Sequence, residues 1–188
     1  MRQKYLLFII VCFLTINTNG QNSHTGIKLG YNSSCVIGNN ISGVSNMPGL
    51  NIGGFFSYKF SWFYLQPELL ISTKGFKTQS VGELYLGNIF IYTEMPILFK
   101  KHFLKQKKIT PYLIAGPSFM FKVLAINLVS ELEGIKIFDT GINLGLGCDI
   151  YKTSIELRLN QSIINFDKID KNKYHQTLSL GVTFHLLK

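Results

Sequence analysis

The stretch TGINLGLGCDI, residues 140–150, alternates with period two. Ile142, Leu144, Leu146, Cys148 and Ile150 fall on one parity, and Gly141, Asn143, Gly145, Gly147 and Asp149 on the other. Successive side chains of a strand point to opposite faces, so this is a β-strand with two unlike faces. A soluble sheet turns its apolar row to a core, whereas a membrane barrel turns the same row outward to lipid. Which of the two applies decides both fold and function.

Period two recurs along the chain and predicts eight strands, at about 25–32, 50–60, 62–74, 87–99, 110–123, 138–150, 153–162 and 176–187. Strands of roughly nine to eleven residues cross a bilayer at a tilt. In the seventh, Ile155, Leu157 and Leu159 oppose Glu156, Arg158 and Asn160; in the eighth, Leu178, Leu180, Val182 and Phe184 oppose Ser179, Gly181, Thr183 and His185. The fourth and fifth are mixed, with Phe90 and Tyr92 sharing parity with Glu94, and Tyr112, Ile114 and Met120 sharing it with Gly116 and Lys122. Pro67, Pro96 and Pro117 lie within or beside strands, and because proline removes a ladder donor a β-bulge is expected near each.

Long polar connections at 33–49, 75–86, 124–137 and 163–175 alternate with tight links at Ser61 and at Tyr151-Lys152, and with the intermediate KKHFLKQKKI. The long ones therefore leave one rim of an up-and-down sheet and the short ones the other, the asymmetry of an outer-membrane barrel with both termini on the periplasmic side. Phe60, Trp62, Tyr64 and Tyr151 near the tight links, and Tyr31, Tyr85 and Tyr174 near the opposite strand ends, suit two membrane interfaces.

Two features favour the apolar row facing out. The polar rows carry unlike charges, chiefly Lys28, Glu68, Glu94, Lys122, Glu156 and Arg158, which an eight-stranded lumen can pack as a structural plug. Mid-strand glycines, which weaken a solvated sheet, would leave room inside a narrow barrel, with Gly145 and Gly147 making space for Glu156 and Arg158. Charged residues are only 15% of the chain, against about 25% in an ordinary soluble domain. A secreted lipocalin-like barrel, its apolar row lining a ligand pocket, uses the same alternation and stays as the alternative.

MRQK followed by the apolar YLLFIIVCFLTI and by TNG reads as a cleaved secretory signal over residues 1–20, cut between Gly20 and Gln21, leaving one barrel domain at 21–188. The net charge of +9 falls to +7 without Arg2 and Lys4, and no basic helix or aromatic motif turns it toward nucleic acid. Cys35 and Cys148 read as two isolated thiols. The lysines of KKHFLKQKK (Lys100, Lys101, Lys105, Lys107 and Lys108) form either a periplasmic patch for an anionic partner or lipid phosphate, or a solvated turn. His175 with Ser162 and Asp167 or Asp170 is the one group resembling catalytic machinery, and it lacks a nucleophile motif. The expectation is therefore a non-enzyme with no metal and no cofactor.

Six stretches in order, GIKLGYN (26–32), LQPELLISTKGFK (65–77), YTEMPILFK (92–100), PYLIAGPSFMF (111–121), DTGINLGLGCDI (139–150) and LSLGVTFHL (178–186), resemble the PorT-like outer-membrane β-barrel proteins of Bacteroidetes. The resemblance implies an all-β, eight-stranded antiparallel transmembrane barrel, integral to the outer membrane and exported by the signal peptide. It implies no single activity, one branch of that family being tied to protein secretion. The closing FHLLK departs from the aromatic last residue of many such barrels. The roles in view are a monomeric envelope scaffold or recognition surface acting through its long loops, an accessory of a secretion or envelope-assembly apparatus, and a narrow pore.

Overall fold

A computed structural model describes residues 23–38, 44–78, 86–103, 108–127, 136–164 and 173–187. They form β1 (Ser23–Gly38), β2 (Val44–Lys59), β3 (Tyr64–Thr78), β4 (Leu86–His102), β5 (Ile109–Asn127), β6 (Phe138–Ile150), β7 (Thr153–Ser162) and β8 (Lys173–Leu187). The strands pair in chain order, all antiparallel, and β8 closes onto β1. Closure supplies every strand with two neighbours, the condition for placing a sheet in lipid, where an unpaired backbone group costs several kcal/mol.

The apolar rows face outward. Leu144 is 56% exposed and Leu180 53%, while Asn143 beside the first is 2% exposed. This excludes the lipocalin-like alternative, in which those rows would line the interior. The outward row continues around the wall through Ile27, Leu29, Ile52, Ile71, Leu113, Leu157 and Val182. At the end carrying the short turns, Tyr58, Phe60, Trp62, Phe63 and Phe99 form a continuous aromatic cluster with ring centroids 5.0–5.7 Å apart. Such rings sit at the boundary between hydrocarbon and headgroups.

Strands β6 and β7 occupy the expected residues, but β1 and β2 run to Gly38 and back from Val44, so most of the expected 33–49 loop is paired strand. The reason is that SSCVIG and VSNMPG extend past the bilayer, where neither face meets lipid and the apolar alternation ends although the ladder does not. The prolines also differ from expectation. Pairing keeps one register through Pro67, Pro96 and Pro117, and the shifts lie instead at Thr25/Gly26, between Asn46 and Asn51, and at Ile91/Tyr92. Each proline leaves a gap in a ladder without an added residue.

The turn between β6 and β7 is two residues long and puts Tyr151 at φ 54°, the left-handed region. Hydrogen bonds from Thr153 Oγ1 to the Ile150 carbonyl (2.9 Å) and from the His185 amide to the Lys152 carbonyl (2.8 Å) hold it.

Candidate functional site

Register brings four of the expected lumen residues into one buried group. Lys28 lies on β1, Glu68 on β3, and Glu156 and Arg158 on β7. Arg158 donates from Nη1 and Nη2 to the two oxygens of Glu68, each at 2.9 Å, and its Nη2 lies 2.7 Å from Glu156 Oε1. Lys28 Nζ donates to Glu156 at 2.5 Å and sits 3.6 Å from Glu68. Gln66 donates to Glu68 at 2.8 Å, and the Tyr112 phenol to Glu156 at 3.3 Å. Two cations and two anions thus cancel, as they must where water is excluded.

The other two expected members stand apart. Glu94 pairs with Lys74 on β3 at 2.7 Å. Lys122 is half-buried near the far rim, its Nζ 5.9 Å from the centre of the Phe90 ring. The lumen is also less polar than expected. Phe90, Tyr92 and Met120 form one buried apolar cluster, and Leu98, Tyr112 and Ile114 another. The mixed parity of β4 and β5 reflects this packing. It also changes the account of the glycines: a Cβ on Gly147 would lie 2.5 Å from the Tyr112 ring and one on Gly145 2.9 Å from Ile114, so these glycines make room for the apolar cluster and not for Glu156 and Arg158. Gly181 does serve the ion group, since a Cβ there would lie 3.0 Å from Lys28 Cε.

Amide and hydroxyl groups fill the rest, with Asn51 bonded to Asn32 (2.6 Å), Asn32 to Ser72 (2.8 Å) and Asn160 to both Ser118 and Asn143 (2.8 and 3.0 Å). The space left between Lys28, Lys74, Glu94 and Arg158 is about 20 Å³, room for a single water.

The basic run divides differently from expectation. Lys100 is not part of an exposed patch: its parity turns it into the barrel, where it is 4% exposed and binds Asp149 at 2.7 and 3.0 Å. Lys101 and Lys108 are exposed, Lys101 Nζ lying 5.1 Å from the Trp62 ring centre. Lys105, Lys107, Gly20 and Gln21 lie outside the described residues. Asp149 also accepts from Ser154 Oγ at 2.7 Å across the β6–β7 turn and meets His102 Nε2 at 2.8 Å, the latter depending on β4–β5–β6 register and leaving no local signal.

Ser162 donates to Asp139, and His175 is buried against the rings of Phe90 and Tyr92; Asp167 and Asp170 lie outside the described residues. Cys35 and Cys148 are both free, on the outward face towards opposite ends of the barrel. Among the described residues no cluster of His, Cys, Asp or Glu has the geometry to hold a metal.

A family model for the outer membrane protein beta-barrel domain matches residues 18–168. No curated protein matches the chain in sequence. Among solved structures the barrel is similar to Ail, the attachment invasion locus protein of Yersinia pestis, in complex with the heparin analogue sucrose octasulfate, with a TM-score of 0.50 at 13% identity over 88% of this chain and 100% of that one. It is also similar to the outer membrane protein OprG from Pseudomonas aeruginosa (TM-score 0.49, 11% identity, 90% and 99% covered) and to the outer membrane enzyme PagL (0.48, 12%, 80% and 97%). At these identities the likeness is one of fold.

Proposed function

Because the chain belongs to the outer membrane protein beta-barrel domain family and is integral to the outer membrane, we propose that it is a non-catalytic envelope scaffold and recognition surface, presenting its extracellular connections above a sealed lumen. The observation that carries this reading is the neutral Lys28–Glu68–Glu156–Arg158 group, packed with less than two waters' worth of space beside it. A fold of this kind hosts many roles, so the role is argued from the filled lumen and not from the likeness. In this reading the chain is a monomeric PorT-like member, and residues 1–20 are its cleaved leader. Planar-bilayer recordings of the refolded full chain test it: the expected result is no steady conductance, and stable open channels would overturn it.

A second reading, an accessory of a secretion or envelope-assembly apparatus, is favoured by one observation, the exposed lysines Lys101, Lys108 and Lys152 at the periplasmic rim. Its test is crosslinking in intact envelopes. A defined envelope protein recovered with the native chain should be lost on Lys101→Glu/Lys108→Glu; recovery unchanged by the reversal defeats it.

A further inference from the structure

The barrel is open at one end only as far as a mouth pocket of about 290 Å³, lined by His24, Tyr64, Lys100, His102, Lys108 and His185 among others. Ser23, Leu187 and the short turns lie at this end, which is therefore the periplasmic one. The pocket's chemistry is one-sided. Its single acid among the described residues, Asp149, already accepts from Lys100, from Ser154 and at His102 Nε2, so its charge is spent within the wall. Lys108 remains exposed on the lining, and Lys59, Lys101 and Lys152 stand on the same rim.

Among the described residues no acid other than Asp149 lines this mouth. Glu68, Glu94, Asp139 and Glu156 are buried in the lumen, and Glu83, Glu131, Glu133, Asp167 and Asp170 fall in sequence within the β3–β4, β5–β6 and β7–β8 connections. The remaining lining includes the hydroxyls of Ser57, Tyr64, Thr110 and Tyr151 and three imidazoles. The Lys108 ammonium, with no second carboxylate among the described lining residues, suits a ligand made of acceptors. A phosphate group has three or more such oxygens, and charge-assisted bonds to them are the strong ones. The volume exceeds that of the ion itself, and the stacked rings of His24 and Tyr64, 6.0 Å apart, with His102 edge-on to Tyr64 at 5.0 Å, offer an aromatic wall for whatever carries the phosphate.

We propose that the periplasmic mouth is a binding site for a phosphate ester, with Lys108 as its principal cationic contact and the His24–Tyr64 wall against the organic group. The ester is either a small soluble phosphate or the headgroup of an inner-leaflet phospholipid, which share this chemistry. The proposal rests on barrel orientation and not on a sealed lumen, so a conducting barrel would leave it standing.

The test is ³¹P NMR of the refolded full chain in dodecyl maltoside, which contains no phosphorus, titrated with glycerol 3-phosphate and separately with dihexanoyl phosphatidylglycerol. A saturable shift of either phosphorus line is expected, weakened at least tenfold by Lys108→Glu. Saturation by glycerol 3-phosphate alone identifies a soluble ligand, and saturation by the lipid identifies a headgroup. Because Lys108 is exposed and outside the ion group, Lys108→Glu should keep the native heat-shift on a gel; His24→Gln, at the aromatic wall, gives a second variant with the same expected direction. No saturable shift in either titration, or equal binding by the native chain and both folded variants, overturns the proposal.

Discussion

Replacing Arg158 by methionine tests what the ion group contributes. Arg158 makes three short contacts to carboxylates, two to Glu68 and one to Glu156, and the substitution leaves both acids facing Lys28 alone. Charge-assisted hydrogen bonds contribute about 1.5 kcal/mol each at the low end of their range, which puts the loss near 4–5 kcal/mol. Removing one member of a buried ion pair typically costs about 3–5 kcal/mol because a charge is left without compensation. The two routes agree. The double variant Arg158→Met/Glu68→Gln restores neutrality and leaves the 2.5 Å Lys28–Glu156 pair in place, so it should recover at least half of the loss. Urea unfolding in phosphatidylcholine vesicles, followed by the heat-shift on a gel, measures both, compared at equal slope. A loss below about 1 kcal/mol for Arg158→Met would refute the reasoning, since only a solvated charge can be removed so cheaply. A double variant no more stable than the single one would refute the charge argument in particular.

Two further outcomes follow from the packing. Gly147→Val should destabilise the barrel by about 1–3 kcal/mol, the usual range for overpacking, because its Cβ would meet both the Tyr112 ring and the Ile155 carbonyl at 2.5 Å; the same unfolding assay reads it. Trp62, the only tryptophan, is 68% exposed within the aromatic cluster. Its fluorescence in vesicles should be quenched more by lipids labelled near the headgroup than by lipids labelled at mid-chain, and the reverse order would place that rim elsewhere.

Legibility from sequence followed the solvent on each side of the wall. TGINLGLGCDI and SIELRLN lie wholly between lipid and lumen, so their alternation marks the strands β6 and β7 to the residue. Above the bilayer the contrast between faces vanishes, and SSCVIG reads as loop although it is paired through Gly38. On β4 and β5 the inward row is itself apolar at Phe90, Tyr92, Tyr112, Ile114 and Met120, so period two persists without a visible polar face. Lys100 was hidden by composition, since a run of lysines suggests a uniform surface while strand parity sends alternate members inside. The mouth residues were beyond reach for another reason: His24, His102, Asp149 and His185 come from four strands and meet only when the sheet closes.

Closure also has a kinetic side. Seven of the eight ladders join strands consecutive in the chain, whereas the β1–β8 ladder joins its two ends and carries the largest loop-closure entropy. Until it forms, β1 and β8 each present an open edge able to recruit a foreign strand. Lys28 reaches from β1 past Gly181 on β8 to Glu156 on β7, a separation of 128 residues, so the ion group is stitched across that seam. Lys28 cannot meet Glu156 while that seam is open, so ions, backbone and both ends of the chain depend on the same ladder.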